Sequence, residues 1–84
     1  MISRKFNGMA NVIGTKIQKL RKSKNWSRSD LSNKLMMLGI DINYDSIYKI
    51  EKSKRIVKDF ELSALAKVLD TTESDLLQDF KKSL

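Results

Sequence analysis

The chain has 84 residues, 40% hydrophobic and 32% charged, with 17 Lys/Arg against 10 Asp/Glu and a net charge of +7. That length allows one small core. With neither cysteine nor histidine, disulfide staples, most zinc sites and any Ser-His or Cys-His catalytic pair are excluded, and no metal or cofactor is expected.

Residues 1–11 lack periodicity and are expected to form a flexible arm, within which Met9 is an alternative start. No apolar stretch follows Arg4 and Lys5 to make a secretory signal. No run approaches the ~20 apolar residues of a membrane span. A cytoplasmic location away from membranes is therefore expected. From Val12 onward apolar residues recur at helical spacing, which predicts an all-α bundle of five helices over 12–80, with 81–84 as a tail.

The first predicted helix runs from Val12 to Lys24, with Ile13, Ile17 and Leu20 as its core stripe. The second follows Ser27, a good N-cap, carries Leu31, Leu35 and Leu38, and stops at Gly39. The third follows Asn43, another N-cap residue, and ends near Lys52 or Ser53. The fourth starts near Asp59 and buries Leu62, Leu65, Ala66 and Leu69. The fifth opens at Thr71 or Thr72, where Thr72-Glu73-Ser74-Asp75 approximates a capping box, and presents Leu76, Leu77 and Phe80.

The third helix is unusual, because its only aliphatic side chains are Ile47 and Ile50. At 100° per residue these share one stripe with Glu51 beside it. Asp45, Lys49 and Lys52 then point the opposite way, with Tyr48 on the flank. The charge is also uneven. Residues 1–58 hold 14 Lys/Arg against 4 acids, whereas 59–84 hold 3 against 6, so a polyanion is drawn to the first two-thirds.

A short, polar-faced helix behind a turn fits helix-turn-helix geometry. The stretches "IGTKIQKLRKSKNWSRSDLSNKL", "SIYKIEKSKR" and "DFELSALAKVLDTTESDLL" together resemble the phage-repressor-like helix-turn-helix family, the relatives of lambda repressor and Cro. The resemblance implies a compact five-helix DNA-binding domain whose third helix enters the major groove while the first turn of the second touches the backbone. Carried over by position, the groove-facing set is Asn43, Tyr44, Asp45, Tyr48 and Lys49. The helical wheel selects Asp45, Tyr48 and Lys49 independently.

Lys49 can donate to guanine, and Asp45 can accept from cytosine or simply favour the helix dipole. Arg28, first after the Ser27 cap, is expected to contact a phosphate. Lys52, Lys54 and Arg55 are backbone-positioning residues or a solvated loop. Glu51 lies on the core side of its helix and wants a cation, and the resemblance implies Arg21. Trp26 reads as core or rim packing rather than a stacking platform. Twelve positions separate Leu35 from Ile47, a lengthened turn for this family. Met36, Met37 and Leu38 are expected to extend the second helix by about a turn, with one of Ile40 and Ile42 inside.

The function these features imply is a sequence-specific double-stranded DNA-binding transcriptional regulator, a repressor of bacterial or phage type. The alternative is an antitoxin or antirepressor-type protein-interaction module on the same scaffold, with a protein partner. A homodimer is expected on a two-fold site, with Leu77, Phe80 and Leu84 as its surface, unless those side chains close the monomer core instead. No enzyme is expected: Asp70, Glu73 and Asp75 lie in an acidic segment without a cleft-forming glycine loop.

Overall fold

The computed structural model describes residues 6–84. Among them it has six helices: α1 Gly14–Ser23, α2 Arg28–Met36, α3 Tyr44–Glu51, α4 Asp59–Val68, α5 Glu73–Leu76 and α6 Gln78–Lys82. No helix among the described residues is long and apolar enough to cross a membrane.

The starts of α1 to α5 are set by side chains that meet otherwise orphaned N–H groups. Ser27 and Asp30 form a reciprocal capping box on α2, with Ser27 Oγ accepting from Asp30 N at 3.0 Å and Asp30 Oδ2 from Ser27 N at 2.8 Å. Asn43 Oδ1 accepts from Ser46 N at 2.8 Å to open α3. Thr72 caps α5 through Asp75 N, but the reciprocal half of that box is missing because the Asp75 carboxylate accepts from Thr71 Oγ1 at 2.7 Å.

The helix ends share one device. Two residues past the end of α1, α3 and α4, and three past that of α2, the chain takes positive φ: Asn25 (59°), Ser53 (59°), Asp70 (60°) and Gly39 (78°). In each case two N–H groups fold back onto the last turn in the Schellman pattern. For α3 these are Ser53 N to Ile50 O at 3.0 Å and Lys54 N to Lys49 O at 2.8 Å.

The core is one cluster drawn from α1 to α5, with Ile17, Leu31, Leu35, Ile42, Ile47, Ile50, Leu65 and Leu69 fully buried. Helix α3 packs against α1 and α2, and α4 packs against α2 and α5. The lengthened turn behaves differently from the sequence expectation. Helix α2 ends at Met36, and the Gly39 cap turns the chain away, with Ile40 N bonding to Leu35 O at 3.1 Å. Ile42 then enters the core, held by Ser32 Oγ donating to its carbonyl at 2.6 Å, while Ile40 packs at the rim.

The fifth predicted helix is divided into α5 and α6. Leu76 is buried and Leu77 packs against the core, so the chain bends at Leu77 (φ −93°, ψ 1°). Phe80 meets the ring of Phe6 edge-on at 5.1 Å. Of the expected arm, residues 1–5 lie outside the described residues. Phe6 and Met9 exchange two backbone hydrogen bonds of 2.9 Å across a turn, and Ala10 N donates to Ser53 O at 2.8 Å.

Candidate nucleic-acid interface

Helix α3 is pinned by its inner stripe, where Ile47 and Ile50 are fully buried and the Glu51 side chain is 0% exposed. The opposite face is open to solvent. Tyr44 is 52% and Tyr48 39% exposed, and Asn43, Asp45, Lys49 and Lys52 are exposed as well. Lys49 Nζ lies 3.1 Å from Asp45 Oδ2 in a surface pair one turn apart. Such a pair contributes little to stability, and both groups stay within reach of an incoming partner.

Behind this face lies a two-arginine clamp. Arg21 Nε donates to Glu51 Oε2 at 2.6 Å and its Nη2 to Oε1 at 3.1 Å, while Nη1 donates to the Trp26 carbonyl at 2.7 Å. Arg28 Nε donates to the same carboxylate at 3.0 Å. The Arg28 guanidinium also sits 5.0 Å from the Tyr48 ring centre and 6.0 Å from that of Tyr44. Desolvation works against charge on this guanidinium, but Tyr44 and the Glu51 carboxylate outweigh it and raise its pKa. A carboxylate removed from water needs such partners, and two arginines sharing it tie α1, the α1–α2 turn and α2 to the last turn of α3.

The family resemblance implied Arg21 as the partner of Glu51, and the two side chains meet. Sequence reasoning missed the second arginine, because nothing local links positions 23 residues apart. Arg55 also has an acidic partner. Its Nη1 and Nη2 each donate at 3.0 Å to the two oxygens of Glu61, the bidentate geometry that suits arginine. These bonds hold the Glu61 carboxyl below its usual range against the burial that would raise it, with the Lys58 N–H adding to the effect. Lys52 and Lys54 remain exposed, and the Lys52 ammonium lies 5.7 Å from the Tyr48 ring centre.

Trp26 is partly buried against the core, its ring flanked by Lys34 at 4.8 Å and Lys24 at 5.3 Å. In the C-terminal stripe, Leu77 packs on the core and Phe80 on Phe6, whereas Leu84 is 86% exposed.

Asn11 drew no attention in the sequence, yet it fixes the far end of α3. Its Nδ2 donates to Ile50 O at 3.1 Å and to Arg55 O at 2.8 Å, and its Oδ1 accepts from Ile13 N at 3.0 Å and Gly14 N at 2.8 Å. The start of α1 is thereby fastened to the end of α3. Gly14 makes this approach possible, since a side chain there would collide with the Ile50 carbonyl oxygen.

No curated protein matches the sequence. Among solved structures, a chain from the complex of SinR protein with SinI protein is similar, with 27% identity and a TM-score of 0.66. The match covers 86% of this chain and 66% of that one. A helix-turn-helix family profile matches residues 17–76, which contain α1 from Ile17 through α5. The chain belongs to the lambda-repressor/Cro-like helix-turn-helix family of DNA-binding transcriptional regulators.

Proposed function

We propose that the protein binds double-stranded DNA sequence-specifically and represses transcription by occupying its site, with α3 in the major groove. The observation that carries this reading is the division of α3: Ile47, Ile50 and Glu51 face inward, while Tyr44, Asp45, Tyr48 and Lys49 face solvent. Lys49 would donate to a guanine edge, Asp45 would accept from cytosine, and Asn43, Tyr44 and Tyr48 would supply polar or ring contacts. Lys52 and Lys54 would reach phosphates as the chain leaves α3. Arg55 would border the same edge with its charge balanced by Glu61.

One helix covers only a few base pairs, so two copies on a two-fold site form the working unit of this reading. Leu84 is the exposed member of the proposed dimer surface, and sedimentation of Leu84→Lys against the wild type tests it. A cytoplasmic site of action belongs to the same proposal.

Selection from random duplex DNA tests the whole. The expected result is an enriched motif whose binding weakens steeply with salt. Lys49→Ala should alter the motif. A folded protein that enriches nothing would refute the proposal.

A second reading, a protein-interaction module of antitoxin or antirepressor type, draws on two observations. Met36, Met37 and Leu38 are exposed together at the end of α2, and the structurally similar SinR chain was solved with a protein partner. Co-purification of a stoichiometric second protein that is lost in Met37→Lys would favour it.

A further inference from the structure

Arg28 occupies a position that does not serve its own helix. It is the first residue of α2, where a cation opposes the macrodipole. What it gains lies on α3. Its Nε bonds to a Glu51 carboxylate that Arg21 already engages twice, and its guanidinium covers the ring of Tyr48 with Tyr44 close by. The Arg28 side chain is 20% exposed, less than expected of a free surface arginine.

The shape of the group matters as much as its charge. A guanidinium is a rigid plane that can donate along one edge while its face lies over an aromatic ring, whereas an ammonium offers a point charge without a face. Here the donating edge meets the inner carboxylate of α3 and the same group lies over an outer tyrosine. The two tyrosines are therefore buttressed from behind before any partner arrives.

We infer that Arg28 is a positioning residue for α3, clamping Glu51 and backing Tyr48 and Tyr44, and so setting the direction in which those rings meet a base pair. This rests on the DNA-reading role of α3 and deepens it. A residue that merely met a phosphate would strengthen every duplex alike. A positioning residue governs discrimination between duplexes.

Arg28→Lys keeps the charge and removes the plane, while Arg28→Ala removes both. Arg21 still holds Glu51 in either variant. Three measurements are run on wild type and variants: selection from random duplex, salt-dependent binding to an unrelated duplex, and the NMR resonances of the Tyr44 and Tyr48 ring protons in the free protein.

The expected result for Arg28→Lys is unrelated-duplex binding within about twofold of wild type at an unchanged salt slope, with about tenfold weaker binding to the wild-type motif. Shifted tyrosine resonances should accompany this. The inference is overturned if Arg28→Lys selects the wild-type motif at wild-type strength, or if the ring resonances stay in place. It is overturned too if Arg28→Ala weakens all duplexes evenly and lowers the salt slope by about one, the signature of a phosphate contact. Absence of any motif for the wild type would refute the DNA reading, and the tyrosine resonances would then decide the clamp by themselves.

Discussion

Asn11 uses one amide to make four hydrogen bonds, two to N–H groups at the start of α1 and two to carbonyls at and beyond the end of α3. Its replacement by alanine removes both sets and leaves buried backbone groups unmet. Asn11→Ala is expected to destabilise the fold by about 2–3 kcal/mol, read as a lower urea midpoint at an unchanged slope. Asn11→Asp separates the two ends, since it keeps the acceptor for α1 but loses the donor to Ile50 and Arg55. Gly14→Ala should cost about 1–3 kcal/mol, because the new methyl meets backbone at Ile50 that cannot swing aside. No sequence pattern announced this junction. Asn11 lies 39 and 44 residues from its acceptors, and with no apolar period around it nothing local distinguished it from a free arm.

At the scale of elements, the starts of the helices were easier to read than their ends. Ser27, Asn43 and Thr72 have the chemistry of caps, and each caps the helix that follows it. Among the ends only Gly39 gave a signal, since Asn25, Ser53 and Asp70 hold positive φ without being glycine. Ser53 is the least suited of the three, as a left-handed L-residue lacking an amide or carboxylate costs about 1–2 kcal/mol. Ser53→Gly should relieve part of that strain and stabilise the protein by about 0.5–1 kcal/mol, offset by the extra freedom of glycine in the unfolded chain. Thermal denaturation would show a higher Tm.

The start of α4 depends on pH through Glu61, which accepts from Arg55 and from Lys58 N. Its folded pKa lies below the ordinary glutamate value of 4.5, so its contribution is complete above that value and is lost as pH falls through the lowered one. Glu61→Gln should therefore be less stable than wild type at pH 7, by about 1–3 kcal/mol. The two proteins should converge in urea midpoint as pH falls through the lowered pKa of Glu61. Equal midpoints at pH 7 would show that the pair contributes nothing. In the same way the outward face of α3 could be read from the spacing of two isoleucines, but the acids that engage Arg28 and Arg55 come from other elements and required the fold.

For the whole molecule, the division of charge along the chain becomes a division in what the charges do. Glu61 neutralises Arg55 within the fold, and Glu73 is held by Ser63 Oγ at 2.7 Å. Lys52 and Lys54, at the exit of α3, are exposed and form no salt bridge among the described residues. Lys81 and Lys82, on α6, are exposed too, but sit among the acids of the last third. Two double variants, Lys52→Gln with Lys54→Gln and Lys81→Gln with Lys82→Gln, lower the net charge equally. If attraction to DNA followed net charge alone, both would weaken binding to the same degree. Counterion release depends instead on which phosphates are neutralised. The first pair should lower the slope of log affinity against log salt by about one unit per lysine, and the second should leave it unchanged. Titration of an unrelated duplex at several salt concentrations measures both slopes, and equal losses would mean that the protein meets DNA through no particular face.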